Sequence, residues 1–93
     1  MFLLKELDEL YNKFADKAYE SNVLDKKTKE LIALACSVMV DCTPCIEYHY
    51  KKAAEYGANN DEIMEALGIT MSVSAGSKRA KHWKLISRLK EGN

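Results

Sequence analysis

One proline and four glycines in 93 residues leave the chain few places to break. No low-complexity tract, internal repeat or alternating β-branched run is present, so nothing in the pattern calls for strands or a solenoid. No stretch approaches the ~20 consecutive apolar residues a membrane helix needs. Net charge is formally zero, so no global field draws the chain towards nucleic acid or anionic lipid, and neither is expected as a partner. Met1-Phe2-Leu3-Leu4 meets Lys5 and Glu6 at once, which does not read as a secretory leader; a cytoplasmic, reducing compartment is the expectation. Three cysteines, an odd number, do not make a secreted disulfide framework.

What is present is helical periodicity. An apolar fraction of 47% beside 30% charged residues fits a folded protein. The length fits one domain, 1–93, all-α, with about five helices. A chain this short leaves much surface uncovered, so part of its apolar content is expected against another subunit. Leu3, Leu7, Leu10, Phe14 and Ala18 form the stripe of a first helix. Asp25 reads as the N-cap of a second, Lys26 to Val40, whose stretch from Leu31 to Val40 has Ser37 as its one polar residue. A helix so apolar belongs at the centre of a bundle or oligomer.

A third helix should start near Cys42, with Pro44 in its first turn, and end at Gly57. Asn59 or Asn60 caps a fourth, Asn59 with Glu62 having capping-box spacing, and Ser72, Ser74, Ala75 and Gly76 suggest close packing or a break before a fifth at about 77–90. Lys78, Arg79, Lys81, Lys84, Arg88 and Lys90 make that last segment basic, which reads as a solvated face.

The chemistry concentrates in Cys42-Thr43-Pro44-Cys45-Ile46-Glu47-Tyr48-His49. At about 100° per residue, Cys42, Cys45 and His49 fall within roughly 60° of one another on a helix circumference. Cysteines three apart in a first helical turn are close enough for a reversible disulfide, and so short a loop adds little stability, so reactivity explains the pair better than stapling. The helix N-terminus favours a thiolate at Cys42, while His49, one turn beyond Cys45, could take that thiol's proton.

Zinc is a rival, with Cys42, Cys45 and His49 as three ligands and His82, Asp41 or a partner residue as the fourth. Haem attachment is excluded because Ile46 follows Cys45, and a thioredoxin-like module lacks its βαβ pattern. Cys36, within the apolar second helix, reads as core. Glu30 is either a surface residue beside Lys26 and Lys27 or a partner for His49. In a hairpin pivoting at Asp41 the two are eleven and eight residues from the turn, an axial mismatch of about 5 Å.

Glu30-Leu31-Ile32-Ala33-Leu34-Ala35, Cys42-x-x-Cys45-x-x-x-His49, Lys52-Ala53-Ala54, Gly57-Ala58, Glu62-Ile63 and Glu65-Ala66-Leu67 together resemble the carboxymuconolactone decarboxylase superfamily, and within it the alkylhydroperoxidase D (AhpD)-like branch. The likeness is strongest over residues 25–75. It implies a helical subunit built on a hairpin and assembled into trimers or hexamers. It also implies a thiol-dependent peroxidase or disulfide oxidoreductase, needing no cofactor, that acts on a hydroperoxide and is restored by a thiol or dithiol reductant protein. By resemblance Cys45 attacks, Cys42 resolves, and Glu30 with His49 relays the proton. Dipole reasoning alone would favour Cys42 as the more acidic thiol. Longer AhpD proteins carry a second copy of the helical unit; here oligomerisation would have to supply the missing walls, with His82 and Trp83 in a subunit interface or a neighbour's pocket. A different class of function, a redox-sensing or metal-binding interaction module without turnover, fits the same cysteines.

Overall fold

The computed structural model describes residues 4–92, so Leu3 of the first apolar stripe lies outside the described residues. These form four α-helices and no strand: α1 Lys5–Tyr19, α2 Lys26–Met39, α3 Thr43–Glu55 and α4 Asn60–Lys90. The all-α expectation holds, but the count of five does not. The break sought at Ser72 to Gly76 is absent, and α4 runs through it for 31 residues. A glycine inside a helix costs only about 1 kcal/mol, and Gly76 has no neighbour that would bend the chain.

Local chemistry sets the other boundaries. The Asp25 carboxylate accepts from the Thr28 amide at 2.8 Å and starts α2. Asn59 and Glu62 form the reciprocal box at α4, each side chain bonded to the other's backbone amide at 2.8 and 2.9 Å. Gly57 takes φ +93° just after α3, a left-handed turn that glycine makes without strain.

Between α2 and α3 only Val40, Asp41 and Cys42 intervene. Asp41 adopts φ +55°, and the Cys42 amide donates to the Ser37 carbonyl at 3.0 Å. This tight reversal lays α2 and α3 against each other as an antiparallel hairpin. The first half of α4 covers the hairpin: Leu34, Ala53, Ala58 and Ile63 are buried together, with Leu31, Ile46 and Leu67 packed around them. Thr70 and the Lys27–Glu62 ion pair (2.7 Å) tie α4 to α2.

α1 buries no residue completely. Its C-terminal turn is held by the Lys29 ammonium, which donates to the Ala18 and Glu20 carbonyls at 2.8 and 2.5 Å. Much apolar surface stays open, including Phe14, Ile32 and Val40 and, along the outer half of α4, Val73, Trp83, Ile86 and Leu89. α2 is therefore central to the chain along one face only. No helix among the described residues is long and apolar enough to cross a membrane.

Candidate functional site

The hairpin brings the four singled-out residues to one place. Pro44 sits in the first turn of α3, where its missing N–H costs nothing, and Cys42 is the N-cap. The Cα atoms of Cys42 and Cys45 lie 5.2 Å apart and their sulfurs are bonded. One turn along, the His49 Nδ1 is 2.7 Å from Glu30 Oε2. Glu30, in the second turn of α2, is 5% exposed, the most deeply buried charged side chain in the described chain. The surface-residue reading of Glu30 is thus set aside: the antiparallel register turns it inward.

A carboxylate can only accept, so Nδ1 carries the hydrogen and the lone pair of neutral imidazole falls on Nε2. The same contact would hold an imidazolium once Nε2 is protonated, through a charge-assisted hydrogen bond. Cys45 and His49 line a common groove of about 540 Å³, walled by apolar side chains of α1, the α1–α2 connection, α2 and the hairpin turn, including Leu24, Ile32 and Val40. Cys42 does not line it. Of the two bonded cysteines, Cys45 is the one that lines the groove together with the histidine.

Cys36 is a correction. It was expected in the core, yet it is an exposed free thiol lining this groove, while Ser37 beside it is buried with its hydroxyl donating to the Ala33 carbonyl at 2.7 Å. Helix phase explains the exchange. Ser37 lies on the face shared with Glu30 and Leu34, and a back-bonded hydroxyl can be buried at little cost. His82 and Trp83 lie on exposed α4, far along the chain from the sulfurs. No group of three or more His, Cys, Asp and Glu side chains among the described residues is arranged to hold a metal ion.

Sequence reasoning missed two aromatic residues. Tyr19, the last residue of α1, stacks on His49 with ring centroids 5.5 Å apart and places its hydroxyl 3.4 Å from Nε2. Tyr48 meets the imidazole edge-on at 5.0 Å. Burial pushes the Tyr19 phenol above its ordinary value and the Glu30 charge adds to the effect, so the hydroxyl keeps its proton at neutral pH. The short connection at residues 20–25 was the available signal, since it returns the end of α1 to the first turns of α2, where Glu30 sits.

Residues 5–86 match the carboxymuconolactone decarboxylase family. The chain belongs to that family. An uncharacterised protein of the cox locus of Paracoccus denitrificans is 35% identical over 85 residues, 91% of this chain and 77% of the relative. Among solved structures, a Methanobacterium thermoautotrophicum protein superposes with a TM-score of 0.83 at 29% identity, covering 92% of this chain and 99% of its own. A family protein of Thermotoga maritima, for which a part in an antioxidative response has been suggested, superposes at 0.69 over 98% of this chain and 100% of its own. At 24% identity that second likeness is one of fold alone.

Proposed function

We propose that this chain is a thiol-dependent peroxidase, or disulfide oxidoreductase, of the AhpD-like type. The observation that carries the reading is the buried Glu30 carboxylate on His49 Nδ1, one helical turn from a Cys45 that is bonded to Cys42 and opens into the same groove as the imidazole.

A dithiol reductant first exchanges with the Cys42–Cys45 disulfide, leaving two thiols and an oxidised reductant. His49 takes the proton of Cys45, and Glu30 stabilises the imidazolium that results. The Cys45 thiolate attacks the terminal oxygen of a hydroperoxide. The S–O bond forms as O–O breaks, and the departing alkoxide takes the proton from His49 as an alcohol leaves. Cys42 then attacks the sulfenic sulfur; S–S forms, S–O breaks, and hydroxide leaves as water with the Cys42 proton. One hydroperoxide and one dithiol become one alcohol, one water and one disulfide. No cofactor enters. The exposed apolar strips of α1 and α4 are covered in a homo-oligomer, a trimer or hexamer, that also walls the groove.

The test is hydroperoxide consumption with dithiothreitol as reductant, followed by stopped flow. Cys45→Ser should abolish turnover, and Cys42→Ser should allow a first oxidation without the disulfide. Equal rates for wild type and Cys45→Ser would refute the proposal. Cytoplasmic residence belongs to the same reading, since reduction of the pair depends on a reducing pool.

A further inference from the structure

The atom that must accept the Cys45 proton is already engaged. With the Nδ1 hydrogen committed to Glu30, Nε2 is the free lone pair of His49, and it faces the Tyr19 hydroxyl at 3.4 Å while the two rings lie nearly parallel, 18° apart. Tyr19 and His49 together line the sulfur-side groove and a second groove of about 530 Å³ on the Glu30 side, so the stacked pair, with Tyr11, stands between the two.

We infer that Tyr19 is a positioning residue that restrains the proton relay: its hydroxyl occupies His49 Nε2, and the imidazole becomes available to Cys45 only when that hydroxyl gives way. The inference rests on the peroxidase reading for the roles of His49 and Cys45, but its observable is thiol reactivity rather than turnover.

The restraint is built to yield. Tyr19 is the last residue of α1, a helix with no fully buried side chain, and its turn is held by Lys29 through two carbonyls. Few contacts have to be lost for the phenol to withdraw. The other groups around His49 are unchanged by altering Tyr19. From α2 these are Glu30 and, further out, Lys26; from α3, Tyr48, Cys45 and Lys52. Lys29 and the Cys36 thiol add to these from α2 and Tyr56 from the end of α3; Tyr11 and Asp16 of α1 and Glu20 just beyond it complete the set, and no described residue of α4 lines either groove.

Tyr19→Phe keeps the stacked ring and removes only the hydroxyl. The experiment follows iodoacetamide alkylation of Cys45 in the reduced protein against pH, read on the Cys45 peptide by mass spectrometry. Releasing one neutral hydrogen bond predicts a midpoint lower by about 0.5–1 pH unit and roughly three- to tenfold faster alkylation below the midpoint. A merely structural effect would not depend on the imidazole, so the same change is made in a His49→Gln background, where Tyr19→Phe should shift nothing. An unchanged midpoint in Tyr19→Phe, a shift upward, or a shift that persists without His49 overturns the inference. Peroxide turnover by wild type separates the two readings. Its absence alongside an intact Tyr19–His49 coupling sinks the peroxidase and leaves the restraint standing.

Discussion

Glu30→Gln isolates the charge from the shape of the Glu30–His49 contact. The amide is isosteric with the carboxylate, and its oxygen can still accept from the Nδ1 hydrogen across the 2.7 Å gap. What is lost is the stabilisation a negative charge gives an imidazolium. A hydrogen bond to a charged group is worth about 1.5–3 kcal/mol and a neutral one about 0.5–1.5, so the substitution removes roughly 1–1.5 kcal/mol from the thiolate–imidazolium pair. At 1.36 kcal/mol per tenfold, Cys45 should alkylate about five- to tenfold more slowly near neutral pH, with the midpoint shifted upward. The readout is again Cys45 alkylation of the reduced protein across pH, with urea unfolding alongside to establish that the fold survives. The 5% exposure of Glu30 argues that solvent does not replace the missing charge. A rate equal to or above wild type in a folded variant would refute the relay.

The remaining predictions concern stability. Leu34, 1% exposed at the contact of α2, α3 and α4, should cost about 2–5 kcal/mol when replaced by alanine, read as a lower urea midpoint with unchanged slope; a loss below about 1 kcal/mol would mean the hairpin core lies elsewhere. The acid limb of stability should trace two carboxylates. The Thr28 amide holds Asp25 below its ordinary value, and the Lys27 ammonium, followed by the Asn59 amide, does the same for Glu62. Because both folded values are depressed, their contribution is complete above about pH 5 and is lost as pH falls below about 4 through those lowered values. Urea midpoints at pH 7, 5 and 3.5 should fall across the last interval, and less steeply in a Glu62→Gln variant. An identical fall in that variant would remove Glu62 from the account.

The starts of α2, α3 and α4 and the end of α3 were legible because each is written in adjacent residues: Asp25 ahead of Thr28, Pro44 behind Cys42, Asn59 with Glu62, and Gly57 for the turn that follows α3. The Cys45–His49 spacing was legible for the same reason, since both lie in α3 one turn apart, whereas Cys42 is the extended residue that precedes the helix rather than part of its face. The length of α4 was not. Small residues at 72–76 are compatible with a break or a continuous helix, and their spacing alone cannot choose.

What the sequence by itself determined is therefore everything that one turn of helix can carry: an all-helical chain, its caps, and a dithiol with histidine one turn away. Tertiary structure alone decided whether Glu30 faces water or the imidazole, because only the tight Val40–Asp41–Cys42 reversal turns α2 so that its first turns meet α3. It alone put Tyr19 against His49, through a connection whose path no local propensity specifies. It also exchanged the expected places of Cys36 and Ser37, because the buried face of a nearly all-apolar helix is chosen by the neighbours that pack on it rather than by the hydrophobicity of each residue.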